Sequence, residues 1–428
     1  MTSSATPSQA HPLQRVSVQR PRDLFADVGR CRSTGRVIRL CYNTFGSAKD
    51  PCVLLVMGLV SPGLFWDDSF CTALAHSGPY YVIRFDNRDV GCSTHLDNGG
   101  GGCKDAMPKG SISYVRYAYA VLRPGTRTIP EVYTLNDMAA DAFGLLDVLR
   151  ISFVHLVGSS LGGTIVQCMA LAHPERVLSL TLMSTHSNSP HTQWPSLREM
   201  MSFISFIPKS TSAKYTNRIA HATSPEERRR LCAERDAERV TAYASSFVQL
   251  LERLSGDQAK YPFDRVAAQQ QMRRIFKRSL CVSGGPRQFL ALLNAPCREE
   301  ALRRRITSAP PSSGKAIGDG SSRIQKNTTV AAAPYYVPTV IIQGDRDPLV
   351  PAVNARRLAS TIPHSRLYMI EGMGHTLIPV LRDTYIRIIG ENVRAGEAAA
   401  LLPERKSQLG AAAGASAEKQ VMNTASRL

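Results

Sequence analysis

Between Val154 and Gly163 the chain reads Val-His-Leu-Val-Gly-Ser-Ser-Leu-Gly-Gly, and no other stretch constrains the fold as tightly. An apolar, strand-like run enters Gly158-x-Ser160-x-Gly162, and a helix-compatible run from Thr164 to His173 leaves it. On so sharp a strand-to-helix turn a serine holds its hydroxyl clear of the sheet in a strained backbone conformation. Side chains two residues before or after it would collide across the turn, so glycine is needed at both places. Without its flanks the same pattern is an ordinary Gly/Ser loop. The strand before and the helix after separate the two readings.

A nucleophilic serine needs a base and an acid, and on folds with this elbow they follow in the order acid, then histidine. Downstream, Val337–Gln343 reads as a buried strand whose proline is tolerated at its start. It runs into Gly344-Asp345-Arg346-Asp347-Pro348, a turn-rich loop with two carboxylates. Asp347 is preferred as the acid because Pro348 fixes the turn beyond it. Asp345 sits close behind the strand, where it can cap the loop by accepting backbone N–H bonds. Of ten histidines only His364 and His375 follow this loop. His364 precedes the next strand, Arg366–Ile370, and His375 follows it in Gly372-Met-Gly-His, so His375 is the expected base.

An oxyanion hole takes one backbone N–H from the residue after the nucleophile and one from the loop after an earlier strand. These are Leu161 and, after the strand Cys52–Met57, Leu59, with Gly58 permitting the turn.

Together with Trp66, Arg84-Phe-Asp-Asn-Arg-Asp-Val-Gly-Cys-Ser93, His173-Pro-Glu-Arg176, Leu180–Ser184, Tyr261-Pro-Phe-Asp264 and Gly344-x-x-Asp347-x-x-x-Pro351, these motifs resemble the α/β-hydrolase superfamily. Within it the chain is most similar to the aclacinomycin methylesterase-like branch. The resemblance covers about residues 36–300 and 335–395. Haloalkane dehalogenases and epoxide hydrolases of this fold carry aspartate where Ser160 stands. Many members have His-Gly where this chain has Met57-Gly58, so the usual polar support of that loop is missing. The Gly99–Gly102 run with Cys103, the long stretch before the Asp347 strand and both tails also depart from the family.

The resemblance implies a carboxylesterase or lipase-like serine hydrolase acting on a small or acyl hydrophobic ester, with no cofactor and no metal. Acyl transfer or C–C bond hydrolysis could run on the same residues. A ligand-sensing protein with a vestigial triad is the alternative of a different class. The spacing of the cysteines and histidines matches no zinc motif, and no phosphate-binding Gly-x-x-x-x-Gly-Lys-Ser/Thr occurs.

Strand-like runs alternate with helical ones, such as Asp137–Leu149, which argues an α/β fold with a doubly wound, mostly parallel sheet. From 187 onward the strand signal stops, and a helical cap is expected. The resulting division is an N-terminal extension at 1–35, expected to be flexible, and core at 36–186. The cap spans 187–302, a low-complexity insertion 303–334, more core 335–396, and a flexible tail 397–428. Trp66, Met200 and Phe203 are candidates for the substrate pocket; Trp66 could equally be plain packing, and for Met200 and Phe203 packing of the cap on the core is the readier reading.

Charge sets further expectations. The chain carries a net +18, and Leu197–Arg305 alone holds 21 Lys/Arg against 11 Asp/Glu. A solvated basic face is the expected meaning; steering of anionic substrates or peripheral contact with an acidic membrane is the functional alternative. Nothing resembles a nucleic-acid-binding motif, and no run reaches the roughly 18 apolar residues of a membrane span. No signal-peptide apolar region opens the chain, and the singly spread cysteines read as reduced thiols. Residues 1–22 have no acid and three arginines, compatible with a mitochondrial transit segment or generic disorder. The final Ser426-Arg427-Leu428 resembles the peroxisomal Ser-Lys-Leu signal, so a peroxisomal import receptor is the expected partner, with cytoplasmic residence the alternative.

Overall fold

In the computed structural model the strands, in chain order, are β1 (Leu24–Arg30), β2 (Val37–Phe45), β3 (Cys52–Val56), β4 (Tyr81–Phe85), β5 (Val154–Ser159), β6 (Val177–Met183), β7 (Ile306–Thr307), β8 (Tyr335–Tyr336), β9 (Thr339–Gly344) and β10 (Arg366–Ile370). The structure describes residues 21–96, 131–308 (apart from 197, 200–211 and 281–283) and 334–409 (apart from 404, 407 and 408). Eight strands form one sheet in the order β1-β2-β4-β3-β5-β6-β9-β10, while β7 and β8 pair separately. Only the β1–β2 and β2–β4 pairings are antiparallel. From β4 across to β10 the sheet is parallel.

Parallel strands covered on both faces must be apolar throughout, and β3, β5, β6 and β9 are buried at every position. Their side chains alternate between two cores. Leu54, Val56, Leu156, Leu180 and Ile341 face one cluster, which includes residues of α2 (Leu135–Val148) and α3 (Leu161–Ala172). Val53, Leu55, Val157, Val340 and Ile342 face the other, with α1 (Asp68–His76) and α10 (Arg382–Ala400). Helix α2 starts at a reciprocal capping box between Thr134 and Asp137.

The cap consists of α4 (Ser212–Ala220), α5 (Pro225–Leu254), α6 (Arg265–Arg278) and α7 (Gly285–Leu293), after which α8 (Glu299–Arg305) leads back to the core. Helix α9 (Ala352–Thr361) lies between β9 and β10. The cap has its own small core, where Phe247, Val248, Met272, Ile275 and Phe276 pack with Leu64. Two buried ion pairs pin it to the sheet's loops: Arg287 forks onto Asp89, and Arg278 reaches Asp86 (2.8 Å) and Asp23.

Three boundaries differ from the sequence reading. Part of the extension at 1–35 is strand β1, whose only buried residue is Ala26 while Leu24 and Phe25 stay exposed. An antiparallel edge strand with so little inward apolar surface has almost no alternation to read. The insertion expected from 303 starts later, because α8 runs to Arg305 and Ile306 is buried. The tail expected from 397 is also packed at its start: α10 continues to Ala400, and buried Arg405 donates to the carbonyls of Pro174 and Val177. The glycine run at 99–102, the bulk of the insertion (309–333) and Ser426–Leu428 lie outside the described residues.

Candidate active site

Ser160 joins β5 to α3 with φ 55° and ψ −122°, a conformation that costs a non-glycine residue about 1–3 kcal/mol. Its surroundings hold it there: its N–H donates to the Met183 carbonyl (2.9 Å), and Thr185 Oγ1 donates to its own carbonyl (2.8 Å). The flanking glycines are sterically required. A Cβ at Gly158 would lie 2.5 Å from the Gly162 carbonyl oxygen, and one at Gly162 would lie 2.1 Å from that of Val56.

The loops after β9 and β10 bring the other two expected side chains to this serine. His375 Nε2 is 3.0 Å from Ser160 Oγ, and His375 Nδ1 is 2.8 Å from Asp347 Oδ2. The Asp347 carboxylate is wholly buried, with Leu349 and Val350 N–H groups on Oδ1 and Gln343 Nε2 on Oδ2. Both oxygens are therefore fixed before any ligand arrives, which sets the ring orientation of His375. Asp345 does something else: its Oδ1 accepts from Gly372 N–H (2.7 Å), tying the two loops together. Further clamps come from the cap. The His375 N–H donates to the Leu254 carbonyl (2.7 Å) and the Gly374 N–H to that of Ser255 (3.1 Å).

The loop after β3 lies against Ser160, close enough that a Cβ at Gly58 would sit 3.0 Å from Ser160 Cβ. Leu161 opens α3, so its N–H has no partner within that helix. The polar support that Met57 cannot supply comes from elsewhere. Asn87 Nδ2 donates to the Met57 carbonyl (3.0 Å), and Gln288 Oε1 accepts from Val60 N–H (2.9 Å) while its Nε2 donates to the Arg88 carbonyl. Gln288 is completely buried and Val60 has φ 51°, rare for a β-branched residue. Asn87 stood inside a recognised motif without a role; Gln288 has no local signal, since only the packing of α7 brings it here.

Above these groups opens a cavity of about 910 Å³, lined largely by apolar side chains. Leu64, Phe65, Trp194, Phe247, Leu251 and Phe289 form much of the wall, with Lys260 and the ion-paired Arg274 and Asp68 adding charge. Trp66 does not belong to it. That ring is fully buried against Phe70 in the core beneath, because the chain turns inward between Phe65 and Asp67. Met200 and Phe203 lie outside the described residues.

His186, which carried no role in the sequence reading, borders the same cavity. Burial, reinforced by the positive charge of Arg298, pushes its pKa down to about 3, so the ring is neutral at any ordinary pH.

The model of the alpha/beta hydrolase fold family matches residues 51–380. The chain is 27% identical over 365 residues to the rhodomycin D methylesterase DnrP of Streptomyces peucetius, covering 85% of this chain and 97% of that protein. It is 28% identical to the rhodomycin D methylesterase DauP of Streptomyces sp. (strain C5), covering 82% and 93%. Among solved structures, a thermophilic esterase from Thermogutta terrifontis aligns with a TM-score of 0.51 at 18% identity, over 87% of this chain and 99% of that one, which speaks to the fold alone.

Proposed function

From the premise that the chain belongs to the α/β-hydrolase fold family and is an esterase-type hydrolase, we propose that it cleaves carboxylic esters with Ser160 as nucleophile, His375 as base and Asp347 as the orienting acid. The observation that carries this reading is the continuous line from Asp347 through His375 to Ser160 on the floor of an apolar cavity. His375 Nε2 takes the Ser160 proton as Oγ attacks the ester carbonyl. The Leu59 and Leu161 N–H groups stabilise the tetrahedral oxyanion. His375 then returns the proton to the departing alkoxide and next activates water to release the acid from Ser160.

The favoured substrate is an ester with a bulky apolar acyl part and a small alcohol, methyl esters included. Two features support this: the cavity is near the upper end of small-molecule sites, and two relatives matched over more than nine-tenths of their length are named methylesterases.

The test is labelling with a fluorophosphonate probe, alongside hydrolysis of p-nitrophenyl esters of increasing acyl length. The intact chain should label, Ser160→Ala should not, and Asp347→Asn and His375→Ala should label far more slowly. A folded intact protein that neither labels nor turns over any ester of the series would overturn the reading.

A further inference from the structure

One joint between cap and sheet holds two cysteines that the proposed ester chemistry does not use. Cys41 lies in β2 with its side chain fully buried, and Cys92 lies half-buried in the loop after β4. The backbone sets them side by side. The Cys41 N–H donates to Ser93 Oγ (2.8 Å), and the Cys41 carbonyl accepts from the Asp86 N–H (2.8 Å). The Cys92 N–H donates to Asp86 Oδ2 (2.9 Å), the same oxygen that receives Arg278 Nη1 (2.8 Å). Arg278 ends α6 and touches both sulfurs: its Nη2 donates to Cys41 Sγ (2.9 Å), and its carbonyl oxygen lies 3.8 Å from Cys92 Sγ. Between the two thiols, the Cys41 S–H donates to Cys92 Sγ.

The two sulfurs are chemically unequal. The hydrogen bond from Cys41, then the positive charge of Arg278, holds the Cys92 thiol below its usual pKa against the effect of burial. The same hydrogen bond, with burial and the Asp86 carboxylate, pushes Cys41 up. Cysteines of the plain core behave differently: at Cys52 and Cys71 burial pushes the thiol up with no second sulfur involved. Cys92 therefore ionises first and is the one that solvent reaches, the two conditions for attack on an oxidant. Cys41 is protonated, sealed and adjacent, which suits a resolving thiol.

We propose that Cys41 and Cys92 form a reversible oxidation site for small hydroperoxides, with Cys92 as the attacking thiol and Cys41 as the resolving one. The Cys92 thiolate attacks one oxygen of hydrogen peroxide. The S–O bond forms, the O–O bond breaks, and the departing hydroxide takes up a proton as water. Cys41 then attacks the Cys92 sulfur: the S–S bond forms, the S–O bond breaks, and the Cys41 proton leaves with the hydroxyl as a second water. Both sulfurs are oxidised, and one peroxide is reduced to two waters.

The test treats the fully reduced intact chain, Cys41→Ser and Cys92→Ser with hydrogen peroxide, then blocks free thiols with iodoacetamide. Peptide mapping by mass spectrometry, with fragmentation, locates each modification. The intact chain should lose two hydrogens through a Cys41–Cys92 link that dithiothreitol reverses. At early times dimedone should trap Cys92 as its sulfenic acid, at least about tenfold faster than Cys52 or Cys71. Cys41→Ser keeps a hydrogen-bond donor beside Cys92, so there the sulfenic acid should persist and excess peroxide should carry it on to the sulfinic acid. Cys92→Ser should leave Cys41 unmodified. Circular dichroism of the reduced proteins checks that the variants fold, and the intact chain decides the matter by itself where one does not. An intact chain in which the two cysteines stay unlinked, Cys92 pairs with a different cysteine, or dimedone traps Cys41 first would overturn the proposal.

Discussion

The edge of the sheet and the roof above it are built on different terms. Ser160, Asp347 and His375 each sit within five residues of a strand end, on loops after β5, β9 and β10. Those strands pair in register within one parallel sheet, so the three side chains inherit their positions from its backbone. The cap wall is made by Phe247, Leu251 and Phe289, whose positions depend on how helices pack on one another. The proposed chemistry therefore rests on loops placed by the sheet, and the cavity wall on the packing of the cap helices. The two meet at narrow joints: the Gly256–Met373 bridge, the Arg287–Asp89 fork and the Gln288 bonds to the loops after β3 and β4.

The sharpest way to divide the regions is to silence one without moving the other. Ser160→Ala should cut kcat/KM on a p-nitrophenyl ester by roughly 10⁴-fold or more while the urea midpoint stays where it was. A large fall in the midpoint would mean that the elbow also holds the roof.

Arg287→Met attacks the joint from the cap side. It leaves the fully buried Asp89 without its cation, and losing one partner of a buried pair costs about 3–5 kcal/mol. Burial alone would raise the Asp89 carboxyl, but Arg287 holds it below the usual carboxylate range, so the pair is charged at neutral pH. Denaturant titration with a cap-located fluorophore should show the cap unfolding before the sheet.

Gly374→Ala strikes where the regions touch. Its new Cβ would lie 2.1 Å from the Leu254 carbonyl oxygen, so the His375 loop and the end of α5 must separate. Acylation should slow by about 10- to 100-fold through misplacement of His375, with KM less affected. Unchanged single-turnover kinetics would show the joint to be softer than its contacts imply.

The smallest effect concerns acid. His186 stays neutral in the fold down to about pH 3, whereas in the unfolded chain it takes up a proton near pH 6.5. Between those values the unfolded state binds more protons, so stability falls as the pH drops. The full span is worth roughly 5 kcal/mol, of which about 2 kcal/mol should be lost by pH 5. His186→Phe removes this contribution, so its stability should fall less between pH 7 and 5 in urea melts than that of the intact chain.

How much of this was legible in the chain follows the same division. The elbow, its glycines, the order of Asp347 and His375 and the strands β9 and β10 could be read locally, because each is a short pattern with one steric solution. Asp345 was expected to cap its own loop, but its carboxylate accepts from Gly372 in the loop after β10, a contact across 27 positions that no local pattern announces. Strand β1 was hidden by its exposed side chains, and Trp66 stood open between wall and packing because nothing in its neighbours' identity says which way the chain turns.

What the amino-acid sequence determined by itself is therefore the parallel strands and the loops that follow them: continuous apolar runs, obligatory glycines and loop order act over a few residues. Only the tertiary structure decided the support of the loop after β3 by Asn87 and Gln288, the cavity wall, and the burial of His186. Gln288 reaches Val60 across 228 positions, and Arg298 reaches Gln167 across 131. Contacts over such separations depend on how whole helices dock, a property that no local pattern of residue types encodes.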